Sequence, residues 1–121
     1  ERAPAAPCAR HELGQSDGHA ADDMHLGIVV TSEAGEPHAI GFAQAALRKG
    51  WACRCFLTDR GVLLLNSARF LELARAGQLR VDVCEHSWEQ YGAAAPPAEV
   101  TLGSQYQNAE LAHACDRVIV L

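Results

Sequence analysis

The segment Leu26-Gly27-Ile28-Val29-Val30-Thr31 decides the fold. It is a short, β-branched apolar run of the kind found in strands that are covered on both faces. A turn at residues 32–36 follows, and Pro37 stands at the first position of a predicted helix, where its missing N–H costs no hydrogen bond. That helix ends at Lys49-Gly50, a basic last turn with a glycine stop. A strand buried on both faces and followed by a helix is typical of a parallel sheet.

The alternation of strand and helix continues to the end of the chain. Further strands are predicted at residues 51–57, 79–83, 100–102 and 117–121. The run Val62 to Leu65 fits either extended chain or a helical turn. Helices are predicted after Asn66 or Ser67, after Ser87 and after Ser104, and the last two serines have the S-x-x-Q spacing of a capping box. We therefore predict an α/β fold, a single three-layer domain with a mostly parallel sheet of about five strands flanked by helices.

Length and composition bound the architecture and the function. The chain has 121 residues, enough for one domain and too few for two. Residues 1–25 show neither helical nor strand periodicity and are predicted to be a poorly ordered tail, and residues 26–121 form the domain. The 15 acids outnumber the 10 Lys and Arg residues, which disfavours a nucleic-acid partner. No apolar run approaches the length of a membrane helix, so we expect no membrane partner.

Cysteine is the most informative residue type in the composition. Five cysteines argue against a complete disulfide framework, because an odd number leaves at least one free thiol. The N-terminal stretch lacks the basic head and apolar centre of a secretory signal, so the cytoplasm is the expected compartment. In such a compartment a free thiol is either buried as a small hydrophobe or used chemically.

Cys84 is the one cysteine predicted at the carboxyl end of a strand. Ligands and catalytic groups of parallel sheets gather in the loops beyond those strand ends. Cys84 directly follows the strand residue Val83 and precedes the predicted helix at Ser87, so its sulfur is expected near the positive end of a helix dipole, which favours a thiolate. His86 would lower the thiol pKa when protonated, and Glu85 would raise it if its carboxylate faces the sulfur. Spacing alone leaves open whether Cys84 is reactive or a buried strand-end residue.

The remaining candidates have structural explanations. Cys53 and Cys55 lie two residues apart on one face of a strand, a spacing that closes no chelate and favours buried packing. Cys115, at the end of an Ala-rich helix, is likewise predicted to be core. His38 could reach the carboxyl-end rim, although a histidine in a first helical turn is usually solvated. No glycine-rich phosphate motif and no catalytic Ser/His/Asp arrangement is present.

Three segments together resemble the DsrE/DsrF/TusD sulfur-relay family. Phe56-Leu57-Thr58-Asp59-Arg60-Gly61-Val62 resembles that family's F-x-x-D-x-G-V turn. The stretch from Cys84 to Gly92 resembles the segment in which a strand-end cysteine precedes a short helix ending in glycine. Gly103-Ser104 and the closing run from Ala114 to Val120 are similar to its final helix and strand. The resemblance covers about residues 26–121, and the Cys53 and Cys55 pair is not part of it.

The resemblance implies a sulfur carrier in which Cys84 holds a sulfane sulfur as a persulfide and passes it to a partner thiol. It implies protein partners that donate and accept sulfur, assembly as a homotrimer or hexamer, and no cofactor. The chain is a sulfurtransferase only if Cys84 is active, because some family members lack the cysteine. For the pocket around the sulfur we predict His86, Trp88 and Tyr91, with Asp59 shaping the rim and His38 as a further candidate.

Two other functions remain open. The first is a non-catalytic DsrE-like assembly or small-molecule-binding subunit that keeps the fold without transfer. The second is a metal-binding protein that uses Cys8 with His11, His19 and His25, although this set lacks the second tight ligand pair of a structural zinc site. We predict no metal site.

Overall fold

The structure is a computed structural model that describes residues 24–76, 79–92 and 94–121. Its centre is a sheet of five strands, and every neighbouring pair is parallel. In chain order these are β1 (His25–Val30), β2 (Ala52–Leu57), β3 (Leu79–Cys84), β4 (Thr101–Gly103) and β5 (Arg117–Val120). Their order across the sheet is β4-β3-β2-β1-β5. The predicted α/β fold with a parallel five-stranded sheet is confirmed.

Within the described residues, four α-helices and two 3-10 helices connect the strands. The α-helices are α1 (Glu36–Arg48), α2 (Ala68–Arg75), α3 (Glu85–Tyr91) and α4 (Gln105–Ala114). The 3-10 helices are η1 (Glu33–Gly35) and η2 (Asp59–Asn66), so the run Val62 to Leu65 adopts the helical alternative. None of the helices in the described residues is long and apolar enough to cross a membrane.

At several helix ends the structure shows the capping features that the sequence predicted. Ser67 accepts a hydrogen bond from the Phe70 N–H and caps α2. Ser104 and Gln107 form the reciprocal hydrogen bonds of a capping box at the start of α4. Gly50 has φ +79°, the left-handed conformation that follows the end of α1. The helix boundaries on both sides of the sheet are therefore determined mainly by short-range contacts.

The two faces of β2 bury different residues, as the alternation predicted. Cys53, Cys55 and Leu57 join the larger core, which α1 and α2 cover together with η2. Phe56 belongs to a smaller core on the opposite face, where it packs with Val29, Cys84 and Leu111 of α4. The sheet thus lies between a thick helical layer on one side and α4 on the other. This three-layer arrangement brings the start of α4 to the carboxyl end of β3.

The first strand begins one residue earlier than predicted. His25, assigned to the tail, is the first residue of β1 and is buried. Its backbone N–H donates to Asp116 Oδ2 at 2.8 Å, and its carbonyl accepts from the Asp116 N–H. This pairing extends β1 toward the residue before β5. The predicted tail residues 1–23, including Cys8, His11 and His19, lie outside the described part of the chain.

Candidate functional site

Cys84 is both the last residue of β3 and the residue that precedes α3. The predicted N-cap at Ser87 is wrong, because α3 already begins at Glu85 and Ser87 lies within its first turn. Cys84 itself holds the N-cap position in extended conformation, although its side chain makes no direct capping hydrogen bond. Its exposed fraction is 6%. The sulfur therefore lies at the carboxyl edge of the sheet with little contact with solvent.

Ser87 does not cap α3, as its spacing predicted, and instead contacts the loop that follows β2. Its buried hydroxyl oxygen accepts a hydrogen bond of 2.8 Å from the Asp59 N–H and lies 3.4 Å from Thr58 Oγ1. Asp59 has φ +51°, a left-handed conformation that is uncommon for a residue other than glycine. The hydrogen bond to Ser87 helps to hold the chain in this turn. Ser87 therefore joins α3 to the loop that follows β2.

Three strand ends contribute polar groups to the surroundings of the sulfur. Thr58 follows β2, Ser87 follows β3 within α3, and Gln105 begins α4 directly after β4. Gln105 Nε2 donates to Thr58 Oγ1 at 3.3 Å, which links two of these elements. Because all the strands are parallel, their carboxyl ends lie at one edge of the sheet, and distant residues meet there.

These polar groups make Cys84 an acidic thiol. Burial is the largest single influence and opposes ionisation, but the hydrogen-bonding groups of Ser87, Thr58 and Gln105 together outweigh it, so the pKa of Cys84 is lower than usual. Both the hydroxyl and the backbone N–H of Ser87 contribute. A lower pKa increases the thiolate fraction at neutral pH, and the thiolate is the nucleophile.

Cys53 and Cys55 show the opposite behaviour. Burial raises the pKa of Cys53 to about 12. It also raises the pKa of Cys55 well above its ordinary value, and the nearby Cys53 and Asp82 act in the same direction. Both thiols are buried in the larger core, as the sequence predicted. They are therefore chemically inert compared with Cys84.

A cavity of about 470 Å³ opens beside Cys84. It is lined by residues from the ends of β3 and β4 and the first turns of α3 and α4, namely Cys84, Glu85, His86, Gly103, Ser104, Gln105 and Tyr106. Tyr106 is 67% exposed and lies at the solvent side of this lining. A sulfur atom added to Cys84 would therefore have polar groups and an aromatic ring within the same cavity.

The structure brings only part of the predicted pocket together. His86 lines the cavity with Cys84, but Trp88, Tyr91 and His38 do not line it. The first two pack against the larger core, where the Trp88 indole N–H donates to the Ala94 carbonyl and the Tyr91 ring lies 5.3 Å below the Arg60 guanidinium carbon. Because α3 begins at Glu85, the helix face that carries Trp88 and Tyr91 lies against η2 and the larger core and not against the cavity. His38 is exposed on α1 and lines a separate groove.

The predicted rim residue and the predicted core cysteine are each placed partly as expected. Asp59 contributes its backbone N–H to Ser87, while its side chain is exposed. Cys115 packs against the smaller core but is only half-buried. No group of three or more metal-ligating side chains occurs among residues 24–76, 79–92 and 94–121.

Thr58, Gln105 and Tyr106 were missed from the sequence. The available signal was their position, since Thr58 directly follows one strand and Gln105 lies two residues beyond another. A search of polar residues at every carboxyl strand end, rather than of cysteines alone, would have selected Thr58 and Gln105. The contact between them depends on the strand order, which no local pattern encodes.

Comparison with known proteins gives a match by structure alone. No protein-family model matches the sequence, and no curated protein matches it. Among solved structures, the chain is similar to the YchN protein of E. coli, with a TM-score of 0.62 and 15% sequence identity over 81% of this chain and 98% of YchN. This chain has a YchN-like fold. That fold is DsrE-like, in agreement with the type that the sequence resemblance implied, and at this identity the likeness shows the fold alone.

Proposed function

We propose that this protein carries sulfane sulfur as a persulfide on Cys84 and transfers it to the thiol of a partner protein. The observation that carries the proposal is the surroundings of Cys84, where Ser87, Thr58 and Gln105 lower the thiol pKa beside an open cavity. The DsrE-like fold agrees with a sulfur-relay role at a coarse level. Cys53, Cys55 and Cys84 are free thiols, which suits work in a reducing compartment such as the cytoplasm.

The transfer consists of two thiol exchange steps. The Cys84 thiolate attacks the outer sulfur of a donor persulfide R–S–SH, so that a new S–S bond forms while the donor S–S bond breaks and R–S⁻ leaves. In the second step an acceptor thiolate attacks the outer sulfur now held on Cys84, and Cys84 departs as a thiolate. One S–S bond replaces another in each step, so no external oxidant or reductant is required.

The residues around the sulfur would assist both steps in the same way. The polar groups of Ser87, Thr58 and Gln105, which lower the pKa of Cys84, stabilise negative charge on it as the attacking group and again as the leaving group. The second role matters because a thiol of low pKa leaves faster in an exchange reaction. His86 lines the cavity and is placed to exchange a proton with the thiolate that departs from the donor.

Sulfur loading followed by intact-mass spectrometry tests the proposal. The full chain is incubated with glutathione persulfide and separated from small molecules. Its intact mass is then measured before and after treatment with dithiothreitol. We expect the mass of one additional sulfur atom that dithiothreitol removes, and we expect it to disappear in Cys84→Ser. Cys115→Ser is the matched control, because this half-buried thiol lies outside the cavity and its loss should leave loading intact. Undiminished loading of Cys84→Ser would refute the proposal.

The low exposure of Cys84 favours one alternative, a DsrE-like subunit that binds a small molecule or supports an assembly without transfer. Its 6% exposed fraction would then reflect a structural thiol. Peptide-resolved alkylation of the folded chain separates the two functions. Reaction at Cys8 with none at Cys84 would favour the binding subunit, whereas reaction at Cys84 that is fast for its pH supports the carrier.

We also propose that copies of the chain assemble into a homotrimer or hexamer. The supporting observation is the edge strand β5, which among the described strands pairs only with β1 and exposes Val118 by 39% and Val120 by 67%. Natural edge strands are usually protected by charge or by a covering element. Light scattering should give an oligomer for the wild type and a smaller species for Val120→Lys, while Leu102→Lys on the opposite edge strand serves as control. A monomeric wild type would contradict the assembly.

A further inference from the structure

A buried group of four charges lies between α4 and the sheet. Arg54 of β2 donates from Nη2 to Asp82 Oδ2 at 3.4 Å and to Glu110 Oε1 at 3.2 Å. Arg80 is 3.1 Å from the Asp82 carboxylate and 3.8 Å from that of Glu110. The side chain of Arg54 is 6% exposed, and that of Glu110 is 18% exposed. The two positive and two negative charges neutralise one another within a largely desolvated network.

The pair Arg54–Glu110 is the polar part of the contact that fixes α4 on the sheet. The apolar part is the adjacent residue Leu111, which is fully buried against Val29 and Phe56 in the smaller core. Gly27 of β1 permits this approach, since a Cβ there would overlap the Leu111 side chain. Leu111 supplies non-directional packing, whereas an ion pair with hydrogen bonds favours one orientation of the helix.

The same helix carries a residue that faces the reactive sulfur. Gln105 is the first residue of α4, donates to Thr58 Oγ1 and is among the groups that favour the Cys84 thiolate. Five residues separate it from Glu110, a rise of about 7.5 Å along a helix. A helix of this length moves as a rigid unit over such a distance. A rotation of α4 at Glu110 would therefore displace Gln105 from the sulfur.

We propose that Arg54 and Glu110 are positioning residues, whose buried ion pair holds α4 in the orientation that keeps Gln105 beside Cys84. The inference rests on the proposed function only in taking Cys84 as the reactive thiol. Neither residue lines the cavity or contacts the sulfur, so each acts through α4. The residues that determine the geometry of the site therefore include the charged network beneath α4 as well as the groups at the edge of the sheet.

The direction in which the Cys84 pKa changes in a Glu110 variant distinguishes a positioning role from a direct Coulombic effect. Glu110 carries negative charge, so its removal would stabilise a thiolate by Coulombic interaction alone and lower the Cys84 pKa. Displacement of the Gln105 amide from the cavity beside Cys84 acts in the opposite direction and raises the Cys84 pKa. The elements around Cys84 carry other charged or titratable groups, namely Asp59 and Arg60 on η2, Arg54 on β2, Arg80 and Asp82 on β3, Glu85 and His86 on α3, and Tyr106 on α4. All of these residues are retained in a Glu110 variant.

The test is the pH profile of iodoacetamide alkylation at Cys84, followed peptide by peptide in the full chain. For Glu110→Ala we expect the midpoint to rise and the rate near pH 7 to fall about threefold. Glu110→Gln keeps a hydrogen-bond acceptor for Arg54 and should retain most of the wild-type profile. Glu99→Gln, which removes the exposed Arg75–Glu99 pair, is the control and should change nothing. An unchanged or lowered midpoint in Glu110→Ala overturns the inference.

A double-variant cycle with Gln105→Ala tests the inference even if Glu110→Ala lowers the stability of the protein. Once Gln105→Ala has removed the amide, Glu110→Ala should produce no further rise in the midpoint. Equal shifts of the midpoint with and without Gln105 would refute positioning through this residue. Sulfur loading is measured separately with the persulfide reagent. If the protein is not loaded with sulfur but the midpoint shifts depend on Gln105 as expected, the proposed function is rejected. If loading occurs but the midpoint shifts do not depend on Gln105, only this inference is rejected.

Discussion

Replacing Ser87 with alanine should make the Cys84 thiol less acidic. The change removes the hydroxyl that favours the thiolate and keeps the backbone N–H that acts with it. A hydrogen bond to a charged group contributes about 1.5–3 kcal/mol, and one pKa unit corresponds to about 1.36 kcal/mol. Because Thr58 and Gln105 remain, we take the lower end of that range and expect the Cys84 pKa to rise by about one unit.

Alkylation with iodoacetamide over a range of pH, quantified on the peptide that contains Cys84, measures this shift. One unit lowers the thiolate fraction about tenfold below both midpoints, while a more basic thiolate is intrinsically about threefold more nucleophilic, so the net rate falls about threefold. The midpoint of the profile gives the pKa directly and does not depend on nucleophilicity. It is therefore the quantity to compare between the variant and the wild type.

Ser67→Ala is the matched control for this experiment. Ser67 caps α2 through the Phe70 N–H, so its loss should cost about 1 kcal/mol of stability without touching the sulfur. A similar midpoint shift in Ser67→Ala would show that general destabilisation, and not the lost hydroxyl, changes the thiol. An unchanged or lowered midpoint in Ser87→Ala would refute the account of the site.

Three further predictions concern stability. Gly61→Ala should lower the melting temperature, because a Cβ there would overlap the Val30 carbonyl oxygen at a cost of about 1–3 kcal/mol, whereas Gly41→Ala on the open face of α1 should be neutral or stabilising. Arg54→Met should cost about 3–5 kcal/mol in urea unfolding, because it removes the more deeply buried of the two arginines that pair with Asp82 and Glu110. Desolvation raises the folded-state pKa of Asp82 above 3.8 despite the lowering effect of two arginines, so its contribution to stability is complete at lower pH and is lost as pH rises through the folded pKa. The stability of Asp82→Asn relative to the wild type should therefore increase with pH in that window, and a flat difference would contradict this.

Short-range chemistry explains what the sequence predicted correctly. The run from Leu26 to Val30, five consecutive buried residues of β1, was predicted as a strand, and the capping box at Ser104 lies within four residues of chain. The separation of Cys53 and Phe56 onto opposite faces follows from the strand period of two. Each of these features depends on neighbours in the sequence, so no knowledge of the tertiary structure was required.

The errors arose where a distant partner decides the outcome. Ser87 has the spacing of a capping residue, yet its hydroxyl is engaged by the Asp59 N–H, 28 residues away in the chain. The hydrogen bond between Thr58 and Gln105 joins residues 47 positions apart. A local pattern names the groups that can donate or accept, but the strand order determines which of them meet. The position of Cys84 at a strand end could therefore be predicted, whereas the placement of Thr58 and Gln105 near it could not.

The position of β5 in the sheet has a consequence for how the chain folds during synthesis. β1 is covered on both faces and pairs with β5 through residues about 90 positions away, Leu26 with Arg117 among them. Until that late segment leaves the ribosome, one edge of an almost wholly apolar strand lacks the partner that pairs with it in the described structure. Pairing over such a separation is slow and leaves intermediates open to aggregation. A nascent chain in which β5 has not yet left the ribosome should thus be a substrate for chaperones, and pairing of β5 with β1 should end that dependence.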